Sequence, residues 1–326
     1  MRLLFIRFSS IGDIVLTSPA IRCAKKQIPG VEIHFLTKAS MKDLIIANPY
    51  IDHVHYLQDS ISVTVEPLKK MNFDYIIDLH HNQRTWRIKK ALGVKAFSYQ
   101  KLSIQKWLLA VTKINWLPKT HVCDRYLQTL KSWGVNNDGQ GLDYFIPQNT
   151  RPVQADLPPE FDKGYTACVI GASYATKKMP ISKWIELCQQ INNPIVLIGD
   201  YADHENAEIL AATLPQKIVN ACGKYSLSES AVLIQQANKV ISHDTGFLHI
   251  AAAFNKPTVT IWGATSPILQ FEAYYATNSN VPRMNAIVPN VSCQPCSKQG
   301  GDRCPKGHFK CMMEQNTNEI AQAINS

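Results

Sequence analysis

Long apolar runs are missing from this 326-residue chain. None approaches the ~18 residues that a membrane span requires. A secretion leader is not expected either, because Leu3–Ile6 is too short for one and Arg7 interrupts it. The expected location is therefore the cytoplasm. No GxGxxG fingerprint occurs, which argues against a dehydrogenase. The two halves show no repeat of one another, and no segment is of low complexity. Acidic residues are in the minority, 25 against 34 lysines and arginines, so the formal net charge of +9 calls for an acidic partner. Phosphorylated substrate, nucleic acid and anionic lipid all meet that description.

The nine cysteines do not imply disulfides in a reducing compartment. Five fall in apolar segments and read as small core residues. The other four form Cys293-x2-Cys296-x7-Cys304-x6-Cys311, with His308 inside. Such a set can hold tetrahedral zinc. The later spacings are unlike a common zinc ribbon, so buried reduced thiols or a structural knot stand beside that reading.

The length suits two α/β domains. Arg2–Phe8 reads as a buried strand, and Ser9–Asp13 as a tight turn into a helix towards Gln27 that Pro19 should kink or interrupt. Strands follow at Val31–Thr37, His53–Leu57 and Asp74–Leu79, with helix around Met41–Ala47 and over His121–Trp133. Asn136–Gly141 and Pro147–Pro159 are rich in Asn, Gly, Pro and polar residues and mark a boundary. The alternation restarts at Thr166 and continues through helices Ser182–Ile191, Asp203–Leu214 and Ser226–Ala237. This predicts α/β architecture with mostly parallel sheets and domains at 1–150 and 151–326.

The most informative stretch is Ile241–Thr265, read as strand, turn, short helix, turn and strand. Asp244 is placed at a helix N-cap, with Thr245, Gly246 and Phe247 opening the helix. Free N–H groups and the helix dipole there favour an anion such as phosphate. Gly263-Ala264-Thr265 makes a second small-residue turn. A further loop, Gly171–Pro180, carries Ser173, Lys177 and Lys178 and suits a diphosphate. An ordinary βαβ unit with surface lysines explains these features as well. Asp13, at the end of the first strand, is either a helix cap or a general base. Arg84–Lys106 is basic, with Trp86 and Trp107 near its ends. It fits phosphorylated lipid or nucleic acid, and a solvated helix face explains it nearly as well.

Taken together, RFSSIGDIVLTSPAI, DYIIDLHHNQRT, HVCDRYLQTLKSWG, GASYATKKMP, SHDTGFLHIAAAFNKPTVTIWGATSP and CQPC…CPKGHFKCM resemble glycosyltransferase family 9, the heptosyltransferases of lipopolysaccharide assembly. The resemblance runs over almost the whole chain. It implies a GT-B fold, two Rossmann-like domains facing a central cleft, with acceptor on the N-terminal domain and sugar nucleotide on the C-terminal one. It implies inverting transfer from ADP-heptose, no required cofactor and no catalytic metal.

On that reading Asp13 is the base, and Ser10, Gly12, Asn82 and Arg84 meet the acceptor. The donor and its phosphates meet Ser173, Lys177, Lys178, Asp244, Thr245, Gly246, Phe247, His249, Gly263 and Thr265, with Asp244 expected to cap the helix or bond sugar hydroxyls, because a carboxylate repels a diphosphate. The acceptor is a phosphorylated glycolipid, with peripheral contact to the cytoplasmic face of the inner membrane and no nucleic acid partner. Met179 stands where the family usually carries Trp. Two rival readings are another GT-B enzyme, such as a UDP-sugar transferase or epimerase, and a non-catalytic sugar-nucleotide or membrane-surface binding protein.

Overall fold

The computed structural model describes all residues, Met1–Ser326. Eleven strands form two sheets. The first holds β1 (Arg2–Ile6), β2 (Glu32–Lys38), β3 (His53–Leu57), β4 (Tyr75–Asp78) and β5 (Ala96–Ser98). The second holds β6 (Thr166–Val169), β7 (Ile195–Ile198), β8 (Ile218–Asn220), β9 (Lys239–His243), β10 (Thr258–Ile261) and β11 (Arg283–Ala286). Every pairing is parallel. Central strands of such sheets are covered on both faces, which explains the unbroken apolar runs Leu3–Ile6 and Ile195–Ile198, all buried.

The spatial orders are β3-β2-β1-β4-β5 and β11-β10-β9-β6-β7-β8. Both are doubly wound. The order reverses at the β1–β4 pair in the first sheet and at the β6–β9 pair in the second. Chain segments leaving the carboxyl ends of those strands diverge, and ligands of open α/β sheets bind there.

The chain forms two compact units. The first comprises Met1–Lys101, Thr120–Gln148 and Tyr274–Asn278, and the second comprises Leu102–Lys119, Asn149–Ala273 and Ser279–Ser326. A single cut at 150 therefore does not describe them, because residues 102–119 and 274–278 each group with the other half. Within the first unit, Tyr274 stacks on His121 with ring centroids 4.6 Å apart. Its hydroxyl donates to Asp124 at 2.8 Å. The Thr277 amide donates to the Gly139 carbonyl at 2.8 Å. Gly141 has φ +75°, and a Cβ there would meet the Ala276 nitrogen at 2.6 Å.

Several local expectations change in detail. The expected first helix is two: Ile11–Val15 and Ser18–Gln27. Pro19 lies in the first turn of the second, where its missing N–H is no loss. The Met41–Ala47 region is a 3-10 turn over Ala39–Leu44. His121–Trp133 is an α-helix to Leu127 and 3-10 beyond it.

Arg22 ties the second helix to the end of the first unit's chain. It is 1% exposed. It donates to both carboxylate oxygens of Asp138 at 2.8 Å and to the Gly141 carbonyl at 2.9 Å, and it pairs with Asp143. Hydrogen bonding to Arg22 holds the Asp138 carboxyl down at about 2, while burial pushes Asp143 up. Asp138 thus contributes stability that is complete above its ordinary value near ~3.9 and is lost as pH falls through about 2. Arg22→Ala leaves two carboxylates without their partner. It should cost about 3–5 kcal/mol in urea denaturation, the usual penalty for breaking a buried pair from one side.

Candidate functional site

In the first unit the segments leaving β1 and β4 carry the expected acceptor-side residues. After β1 the chain turns through Ser9 and Ser10 into the helix Ile11–Val15. Asp13 is not the cap of this helix. Ser10 occupies that position, and its hydroxyl donates to Asp13 Oδ2 at 2.8 Å. Arg7, buried at the end of β1, forms an ion pair with the same oxygen. Arg7 also donates to the carbonyls of Ser9 and Leu79, at 2.8 and 2.7 Å. One guanidinium therefore fixes Asp13 and ties the turn after β1 to the end of β4.

At the end of β4, fully buried Asp78 accepts from the His81 amide at 2.7 Å and the Thr85 hydroxyl at 2.9 Å, and pairs with Lys89 at 2.6 Å. Asn82 caps the helix Gln83–Leu92 in a reciprocal box with Thr85. A cavity of about 460 Å³ opens beside these turns. Its wall includes Ser9, His80, Asn82, Arg84, Lys38 and Arg87. Burial, with Arg7 and Lys101 nearby, pushes His80 down to about 4. The positive charge of the wall is thus that of Lys38, Arg84 and Arg87. Asn82 and Arg84 meet in this wall. Ser10, Gly12 and Asp13 lie on the adjoining turn, and Gly12 is buried.

In the second unit the segments leaving β6, β9 and β10 are bonded to one another. Asp244 is not an N-cap. Thr245 caps the helix Gly246–Ala253, with no side-chain bond to the first turn. The Asp244 carboxylate turns aside to Lys177 Nζ at 2.7 Å and the Thr265 hydroxyl at 2.9 Å. Lys177 also donates to the Asp244 carbonyl at 2.9 Å. Lys177, Asp244 and Thr265 are thereby brought together beside Thr245, Gly246 and Phe247, all half-buried. Lys178 goes elsewhere, to nearly buried Asp203 at 2.6 Å. Ser173 is exposed and His249 is buried.

Two glycines permit this packing. A Cβ on Gly263 would lie 2.4 Å from the Thr176 carbonyl oxygen, and one on Gly171 would lie 2.3 Å from Asp203 Oδ2. The Thr176 carbonyl accepts from the Ala264 amide at 3.1 Å.

Two residues not singled out from the sequence each hold one of these clusters in shape. Arg7 is one. The other is His243, buried at the end of β9, whose Nε2 accepts from the Met179 amide at 2.9 Å. An acceptor nitrogen at this position belongs to a neutral ring, and burial pushes the group down to about 4. A lone arginine in a buried strand and a histidine ending one were the available signals.

The cysteine cluster lies in the second unit. Cys293, Cys296 and Cys304 are partly exposed and Cys311 is buried. Cys293 Sγ is 3.8 Å from His308 Nε2. Burial, and then the neighbouring thiols of Cys296, Cys293 and Cys304, push Cys311 up to about 12. A divalent cation would relieve that repulsion. The sulfurs are not gathered within 4.8 Å of one another, as ligand atoms of Glu32 and His34 on β2 and His53 on β3 are.

Residues 64–302 match the family model described as glycosyltransferase family 9 (heptosyltransferase). The chain belongs to glycosyltransferase family 9. It is 24% identical over 306 residues to lipopolysaccharide heptosyltransferase 1 of Campylobacter coli, covering 86% of this chain and 88% of that one. A glycosyltransferase of family 9 from Veillonella parvula superposes with TM-score 0.78 at 18% identity, over 99% of this chain and 95% of that one. The Escherichia coli heptosyltransferase WaaC, solved with ADP, gives 0.68 at 22% identity over the whole of both chains. These likenesses show the fold, GT-B, built on two Rossmann-like sheets.

In the loop Gly171–Pro180 the two lysines part company, Lys177 to Asp244 and Lys178 to Asp203. Lys178→Ala leaves the Asp203 carboxylate unpaired under the loop. It should cost about 1–3 kcal/mol of stability, measured by chemical denaturation, while ADP affinity in calorimetry changes little.

Proposed function

We propose that the chain is an inverting glycosyltransferase that moves a heptose from ADP-heptose to a phosphorylated inner-core lipopolysaccharide acceptor at the cytoplasmic face of the inner membrane. Family membership and relatives named as heptosyltransferases support the reaction class. The observation that carries the site assignment is the Lys177–Asp244–Thr265 triangle at the mouth of a helix. A carboxylate aimed at a diphosphate would repel it. Here that carboxylate is already engaged by the Lys177 ammonium and the Thr265 hydroxyl, so its repulsion is offset and the amides of Gly246 and Phe247 are left to attract the phosphates, with the Lys177 ammonium beside them.

The reaction then balances as follows. Asp13 takes the proton of the acceptor hydroxyl as its oxygen attacks the anomeric carbon. The bond from that carbon to the diphosphate oxygen breaks with inversion. Negative charge grows on the departing ADP, where Lys177 and the helix amides stabilise it. Arg7 and Ser10 hold Asp13 in position through Oδ2. Lys38, Arg84 and Arg87 in the cavity wall suit acidic groups of the acceptor.

Lys177→Ala should weaken ADP-heptose binding roughly ten- to a hundredfold, as expected for one charge-assisted bond of about 1.5–3 kcal/mol. Calorimetry with ADP and UDP on the same preparation tests the donor class. Preference for UDP would remove the heptose reading and favour a UDP-sugar enzyme.

Asp13→Asn preserves shape and hydrogen bonding to Ser10 but cannot take a proton at neutral pH. Turnover should fall by ~10²–10⁴ with donor affinity unchanged. Near-normal transfer would leave Asp13 a structural partner of Arg7.

A further inference from the structure

The helix Ser103–Thr112 has apolar residues on both of its sides. One side packs into the second unit. Leu109 is buried with Leu117 and Leu269. Lys106 lays its ammonium 3.9 Å from the centroid of the Phe271 ring. Beyond the helix, Lys113 donates to the carbonyls of Ala110, Cys293 and Pro295 at 2.6, 2.8 and 2.7 Å. The helix is thus firmly seated.

The other side carries Ile104, Trp107, Leu108 and Val111, spaced i, i+3, i+4 and i+7, so they form one stripe. Ile104, Trp107 and Val111 are 72%, 56% and 61% exposed, and Trp116 just beyond the helix is 65% exposed. A solvated helix face would be polar at these positions.

Charge singles out the same region. Between Asp78 and Asp124 the chain has nine lysines and arginines and no aspartate or glutamate. The rest of the chain is balanced, because nine is also the formal net charge of the whole. Lys101 and Lys119, both exposed, bracket the apolar stripe in sequence. No helix is long and apolar enough to cross a membrane.

We infer that the outward face of Ser103–Trp116 docks on an anionic lipid surface, with Trp107, Val111, Ile104 and Trp116 entering the headgroup layer and the flanking lysines meeting lipid phosphates. Indole rings favour that interface, where their apolar body and polar N–H are both satisfied. Short amphipathic helices lie in it by the same balance of apolar burial and charge. The alternative occupant, a second copy of this chain, would set like charges against one another across a symmetric contact.

The test is flotation with vesicles of phosphatidylglycerol and phosphatidylethanolamine, against vesicles of phosphatidylcholine alone. The chain should float with the anionic vesicles and be released as salt is raised. Replacing both Trp107 and Trp116 by Ser should lower the bound fraction about tenfold or more. Melting temperature and ADP affinity of that variant should match the parent, which separates lost docking from lost folding.

Binding that is absent, indifferent to lipid charge, or unchanged in the double variant would overturn the assignment. So would sedimentation showing a dimer that the same substitutions dissolve without any vesicle binding. A second readout, slower transfer to a vesicle-embedded acceptor with a delipidated one unaffected, rests on the proposed reaction. Flotation does not, so the two readings can fail separately.

Discussion

A doubly wound sheet cannot avoid a point at which its strand order reverses, and each unit here has one. At β1–β4 and at β6–β9 neighbouring strands send their following segments to opposite faces. The backbone groups and helix N-termini at those points have no strand to cover them. Every residue that the sequence marked by turn, charge or motif around Ser9–Asp13, Asn82–Arg84, Gly171–Pro180 and Asp244–Phe247 leaves a strand at such a point. The close parallel packing of short, fully buried strands is what places them.

Given that geometry, the polar groups are held by ionic pairs that cross from one segment to the next. Arg7 joins the turn after β1 to the end of β4, and Lys177 joins the segment after β6 to the one after β9. Neutral His243 makes a second stitch between the latter two through the Met179 amide. The Met179 side chain is itself buried, so the loop is fixed by that packing as well as by its amide. Gly171 and Gly263 matter for the opposite reason, since at each a single carbon would push the segments apart.

The architecture was legible because its signals are local. Unbroken apolar runs such as Leu3–Ile6 and helix faces such as Trp184, Leu187, Cys188 and Ile191, all buried, declare themselves within a few residues. Two of the edge strands do not. Ala96–Ser98 is three residues long, and Arg283–Ala286 alternates polar and apolar, so neither has a run to read. The caps were misplaced by one step at Asp244, because its partners Lys177 and Thr265 lie far away in sequence. Without them the carboxylate would belong on the helix. Arg7 and His243 escaped for the same reason. Each looks like an ordinary strand residue until its distant partners are known.

The first unit closes with five residues borrowed from far downstream. Tyr274–Asn278 sits against His121, Asp124, Gly139 and Gly141. During synthesis, the amino-terminal sheet can assemble early, but its last seam waits until the ribosome has made most of the second sheet as well. A fragment ending at the Pro-rich linker therefore exposes the ring face of His121 and leaves the Asp124 carboxylate without its tyrosine. Dissecting this protein into halves is a matter of circular order as much as of where to cut: a separate amino-terminal half needs the 274–278 strap supplied again.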